Sequence, residues 1–107
     1  MAYDERKVPF DLLVVVPINK GDEFVRNSNL GDDLNFIPVD KYTLQHPDHK
    51  NIFFIGDAAA IPTSKAGSVA HFAAEVVFKN ILYVIKNKLP KAKFDGHANC
   101  FIETGIW

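Results

Sequence analysis

"NIFFIGDAAAIPTSKAG", residues 51–67, decides how the rest of this chain is read. Four apolar residues, 52–55, run straight into Gly56 and a carboxylate, Asp57. A short uninterrupted apolar run reads as a strand buried on both faces, as inside a parallel sheet. Small residues, Pro62, the hydroxyls of Thr63 and Ser64, and Lys65 follow. From Ser68 the period changes. Val69, Phe72, Ala73, Val76, Val77, Asn80, Ile81 and Val84 recur at helical spacing, which predicts one long helix. Ser64 or Ser68 is the expected N-cap, Lys86 and Lys88 suit the negative C-terminal end, and Pro90 is the expected stop.

The strand-Gly-Asp-helix order brings three things to one point. Glycine lets the backbone approach a ligand closely. The aspartate offers an acceptor to a hydroxyl, and a helix N-terminus offers free N–H groups and partial positive charge. Strand carboxyl ends in α/β sheets are where ligands bind. The same residues also read as a turn aspartate capping the next helix, and the pattern by itself leaves both readings open.

Upstream, "FDLLVVV" at residues 10–16, closed by Pro17, predicts a second strand buried on both faces. "PINKGDEF" is turn chemistry, residues 27–33 a loop or one helical turn, and "QHPDHK" a surface loop. "FIPVD", residues 36–40, predicts an edge strand, because Pro38 cannot donate to a ladder. Within the helix, 13 of the 17 residues 69–85 are apolar. His71, Glu75 and Lys79 form a narrow polar stripe, and three ionisable groups argue against a membrane crossing. A surface helix carries about half that apolar coverage, so this one expects cover on most sides. Two double-sided strands and such a helix cannot cover one another within 107 residues. A fragment of a longer chain, or a homo-oligomer, is therefore expected.

Composition narrows the function classes. Hydrophobic content of 48% with 23% charged residues is globular, and a net charge of −1 gives no electrostatic case for nucleic acid. One cysteine, Cys100, excludes an internal disulfide and fits a reducing compartment or a thiol whose partner lies elsewhere. The charged N-terminus lacks a signal-peptide core, which points to a cytoplasmic or peripheral-membrane location. The six glycines never form G-x-G-x-x-G or a P-loop. His97 and Cys100, three apart, fall short of the four ligands of a structural zinc, so no metal is expected.

The segment "NIFFIGDAAAIPTSKAGSVAHFAAEVVFKNI" resembles the last FAD-contacting motif of two-dinucleotide-domain flavoprotein oxidoreductases. "PTSKAG" followed by "KFDGHANCFIETG" resembles sulfide:quinone oxidoreductases in particular, and the match runs over residues 10–105 with the motifs in the family's order. The resemblance implies an α/β fold, a partial FAD/NAD(P)-binding Rossmann-like domain with a small sheet and one long helix. Residues 1–107 would form the C-terminal part of the FAD-binding domain, with about 8–17 ending a second dinucleotide-type domain. It implies FAD contacts at Gly56, Asp57, Ala58, Thr63, Ser64 and Lys65, with Asp57 on the ribityl chain. Lys65 would lie near the flavin pyrimidine edge or the quinone pocket, and Cys100 would be one of two cysteines that handle sulfide sulfur. Sulfide and quinone are the implied partners of the whole enzyme.

There are departures and rivals. Phe101 follows the cysteine where many relatives have proline, and a second cysteine, the G-x-G-x-x-G fingerprint and a membrane-docking tail are absent here, so this piece alone is expected to be inactive. Without the resemblance, Lys65 reads as a solvated loop lysine and Cys100 as an inert half-buried thiol. The competing assignments are a flavocytochrome sulfide dehydrogenase, an NADH:quinone dehydrogenase-type flavoprotein, and a non-catalytic self-associating module.

Overall fold

The computed structural model describes residues 9–105. Element order is α1 (Glu23–Asn27), β1 (Ile37–Pro38), a 3-10 turn (Gly56–Ala58), β2 (Ala59–Ala60) and α2 (Gly67–Ile85). The two strands pair in parallel, Ile37 with Ala59 and Pro38 with Ala60, giving a minimal mixed α/β unit. The edge strand expected at 36–40 is present, shortened to two residues. The core is one cluster, in which Leu44, Ala59, Ile61, Val69, Ala73 and Phe94 are buried together. It lies where α2 crosses the pair of strands.

The radius of gyration is 18.2 Å, against about 13 Å for a compact domain of this length. The excess reflects surface left uncovered. Residues 10–16 form no regular structure, and Leu12, Val14 and Val16 are more than four-fifths exposed, which overturns the buried strand expected there. A strand needs a neighbour to receive its backbone groups, and none lies beside this run among the described residues. Residues 52–55 also fall short of a strand. Phe53 makes a single antiparallel bridge to Gln45, and the parallel pairing begins after Gly-Asp rather than before it. The turn chemistry of 17–24 hides α1, which Asp22 caps by accepting from the Phe24 amide at 2.7 Å. Gly21 fits here only without a side chain, since a Cβ would stand 1.8 Å from the Asn35 carbonyl oxygen.

The long helix occupies Gly67–Ile85, as its periodicity predicts, but its ends differ from expectation. Ala66 is the N-cap and carries no side-chain acceptor, while Ser68 lies inside the first turn with its hydroxyl bonded to Asn99. At the other end Asn87 adopts φ 53°, with Lys88 N–H donating to Tyr83 O and Asn87 N–H to Val84 O. These two bonds make a Schellman closure, so the helix stops at Asn87's left-handed turn before Pro90 is reached. By length and composition α2 could cross a membrane. Val69 and Ala73 are nevertheless buried in the protein core.

Candidate functional site

Gly56 sits at φ +71°, a conformation natural to glycine, and opens the 3-10 turn that carries Asp57. A Cβ built there would stand 3.6 Å from the Ala70 Cβ, so the turn lies against the first turn of α2. Asp57 is exposed and, with Ala58, lines an open cavity of about 230 Å3 whose far wall includes Gly21, Val25 and Phe36. Acid, glycine and helix start are thus neighbours.

Lys65 turns back onto this turn. Its ammonium donates to the carbonyls of Asp57 (3.0 Å) and Ala59, and lies 4.4 Å from the centre of the Phe36 ring. It ties the loop after β2 to the Gly56–Ala58 turn, through Asp57, and to the start of β2, through Ala59. Thr63 lines a second cavity, of about 210 Å3, beside Tyr42 and Phe94, and its Oγ1 is buried without a hydrogen-bond partner. Ser64 is exposed. Thr63 therefore lies on a different cavity from Asp57 and Ala58.

The position of Cys100 is set by a segment without secondary structure. After Pro90 the chain runs back along α2 towards its start. Asn80, fully buried, accepts from the amides of Lys91 and Ala92 at 3.1 and 2.9 Å. Its Nδ2 donates to the carbonyls of Thr43 and Ala92, both at 3.0 Å. Phe94 enters the core, and its amide donates to Tyr42 O at 2.7 Å. The His97 ring then stands edge-on to Phe72, with centroids 4.5 Å apart. Finally Ser68 Oγ donates to Asn99 O (2.8 Å) and accepts from Asn99 N–H (3.1 Å). Twelve helical residues from Asn80 back to Ser68 span about 18 Å, a distance that residues 92–99 cover in extended form. Cys100, exposed, is thereby held one residue beyond the first turn of α2.

Asn80 is the residue that sequence reading missed. It was counted within the apolar pattern of α2, although a polar side chain at a core-facing position signals a buried hydrogen-bond network. His46 is buried and accepts from the amides of Asp48 and His49 through Nδ1, closing the "HPDH" loop as a structural device. His71 is exposed on α2. Asp40 accepts from the Thr43 and Tyr42 amides and the Thr43 hydroxyl. The Thr43 amide leads in holding its carboxyl below the usual range, with burial opposing and the Thr43 hydroxyl, Tyr42 amide and Lys41 charge assisting. No group of three or more metal-ligating side chains occurs among the described residues.

Comparison with known proteins adds to this geometry. The chain is 32% identical over 98 residues to the mitochondrial sulfide:quinone oxidoreductase of Mus musculus, 92% of this chain and 22% of that protein. The corresponding proteins of Schizosaccharomyces pombe and Dictyostelium discoideum are each 36% identical, over 91% and 92% of this chain. The chain is sulfide:quinone oxidoreductase-like. It spans about a fifth of the length of the curated relatives it matches. A chain in the cryo-EM structure of the Tetrahymena thermophila mitochondrial ATP synthase tetramer is also similar, with a TM-score of 0.66 and 34% identity. That likeness covers 71% of this chain and 18% of the other. No family model matches.

Proposed function

We propose that this sulfide:quinone oxidoreductase-like chain supplies the flavin-seating segment of a sulfide-oxidising, quinone-reducing flavoprotein, as part of a Rossmann-type FAD domain. The observation that supports this most is a convergence. The Gly56–Ala58 turn and the segment ending at Cys100 both meet the first turn of α2, one by packing on Ala70 and the other through Ser68 and Asn99. The residues suit a flavin: a carboxylate acceptor on an open cavity matches a hydroxyl-bearing ribityl chain, and Gly56 leaves room for close approach. Gly56, Asp57 and Ala58 would hold the cofactor, whose chemistry when bound is two-electron acceptance. The start of α2 would favour negative charge nearby.

Lys65, in this reading, positions rather than binds, because its ammonium is spent on the carbonyls of Asp57 in the turn and Ala59 in β2. Thr63 and Ser64 would contribute less directly. Cys100 would act as a thiolate in exchange with a partner sulfur. Uncovered apolar surface, including residues 12–16 and the outer face of α2, is consistent with a segment completed by further chain or by a second copy.

Flavin absorbance and sulfide-dependent quinone reduction test this reading. Both are measured on the 107-residue chain and on the longest natural polypeptide that contains it. A yellow long form that loses turnover in Cys100→Ser supports it; a colourless long form refutes it. The Tetrahymena likeness favours one second reading, a related fold serving as a non-catalytic component of a larger assembly. A colourless long form that co-purifies in a stable complex would select that alternative.

A further inference from the structure

The segment that returns along α2 carries the sequence's single Asp-Gly pair, Asp95–Gly96, and no Asn-Gly occurs. An aspartyl side chain before glycine is open to attack by the glycine's own backbone nitrogen, because no side chain shields that nitrogen. Asp95 is exposed, and both residues line the open cavity of about 210 Å3 beside Tyr42 and Thr63, where water can enter. Gly96 has φ +85°, and its amide makes no hydrogen bond among the described residues. Asp95 Oδ1 accepts from the His97 amide at 2.9 Å. That bond folds the carboxyl back beside the intervening Gly96 amide and draws electron density from Cγ. Other susceptible pairs are held. The Ser28 amide, after Asn27, donates to Phe24 O, and the His49 amide, after Asp48, donates to His46 Nδ1.

We propose that Asp95 is a site of spontaneous backbone modification, ageing through a succinimide to isoaspartate and thereby releasing the segment that holds Cys100. The Gly96 nitrogen attacks Cγ of the neutral carboxyl. The N–Cγ bond forms, a Cγ–O bond breaks, and that oxygen leaves as water with the amide proton. Water then adds to the Asp95 main-chain carbonyl within the ring, and its bond to nitrogen breaks as nitrogen recovers a proton. The chain now runs through Cβ and Cγ, and the former main-chain carbonyl is a free carboxylate. Composition and formal charge are unchanged, and no oxidant or cofactor takes part. The detour lengthens the backbone by about 1.5 Å, one C–C bond. Anchors on both sides resist it. Phe94 is buried, with its amide on Tyr42 O, while the His97 ring rests on Phe72 and Asn99 exchanges two hydrogen bonds with Ser68. Hydrogen bonds of 2.8 and 3.1 Å do not survive a shift of that size, so the Ser68–Asn99 pair parts and Cys100 loses its fixed place. The step needs nothing from a flavin, so it stands or falls apart from the function proposed above.

Prolonged warm incubation of the 107-residue chain at neutral pH, folded and in parallel unfolded in urea, tests this. An L-isoaspartyl methyltransferase with labelled S-adenosylmethionine counts the isoaspartate, and mass spectrometry of the tryptic peptide 94–107 places it. Methyl acceptance is expected to rise in the folded chain, with the peptide mass unchanged and a transient form lighter by one water. Asp95→Glu abolishes the signal, because its longer side chain closes a larger ring that forms far more slowly. The position is exposed, and an unaltered circular dichroism spectrum verifies folding of that variant. In the aged fraction the Asn99 amide exchanges about tenfold faster while Ala92 stays protected. No methyl acceptance overturns the proposal, as does acceptance that persists in Asp95→Glu or that arises only in urea. A gain in the peptide's mass overturns it in favour of deamidation at Asn99. An aged chain whose Asn99 amide exchanges as before overturns the release of the Cys100 segment.

Discussion

Replacing Asn80 by leucine keeps most of the side-chain volume and removes every hydrogen bond it makes. Four backbone groups then lose partners: the Thr43 and Ala92 carbonyls and the Lys91 and Ala92 amides. A buried group left unsatisfied costs about 1–3 kcal/mol, and a net hydrogen bond contributes about 1 kcal/mol. Lys91 is exposed and its amide can turn to water, so the lower end applies to it. Even at the lower end for all four groups the sum is about 4 kcal/mol. With a urea slope of about 1–2 kcal/mol per molar for a chain this size, the midpoint falls by at least about 2 M. Hydrogen exchange adds a local readout. The Ala92 and Phe94 amides lose protection together, because the clip that returns residues 91–99 along α2 is gone.

A midpoint shift under about 0.5 M with Ala92 still protected would refute the claim that Asn80 fastens the return segment. Asn80→Asp separates packing from hydrogen bonding. One oxygen of the introduced carboxyl accepts from the Lys91 and Ala92 amides, but the other faces two carbonyls and the group is fully buried. Burial and carbonyl repulsion dominate, so its folded-state pKa rises above the unfolded value. Its unfolded state then holds fewer protons than the folded one across that window, and stability falls as pH rises. A variant whose stability is flat with pH would contradict the geometry.

Other predictions follow from single residues. Asp40 is held below its ordinary carboxyl value by the Thr43 and Tyr42 donors, so its stabilising effect is complete above pH 3.8 and is lost as pH falls through its lower folded value; Asp40→Asn should flatten that limb of an acid titration followed by circular dichroism. Gly56→Ala should cost about 1–2 kcal/mol in urea unfolding, through its positive φ alone, since the added Cβ meets Ala70 at ordinary contact distance. Ser68→Ala removes both bonds to Asn99 and should speed exchange of the Asn99 amide by about tenfold, leaving Ala92 protected; equal loss at both sites would show that the return segment detaches as one unit.

Local signals carried some of this protein plainly. The helical period of 69–84 is intrinsic, since i, i+3, i+4 spacing places one face together whatever surrounds it. Pro38 could be assigned to an edge because a missing N–H is a local fact. The Gly-Asp junction, the lysine and the cysteine were legible as chemistry, and so was the shortage of cover. Two apolar runs, 10–16 and 52–55, were misjudged because an apolar strand is a statement about neighbours. Neighbours are not encoded within the run, and here the first has none among the described residues.

Sequence alone determined the periodic helix, the glycine that turns at Gly56, and the excess of apolar surface over what 107 residues can bury. Tertiary structure decided where the chemistry gathers. Ser68, inside the first turn of α2, holds Asn99 across 31 residues of chain, and Asn80 reaches 37 residues back to Thr43. Such pairings depend on how α2 and the return segment lie together in space. Hydrogen bonds require groups within about 3 Å, and distance along a chain says nothing of that until the core has formed.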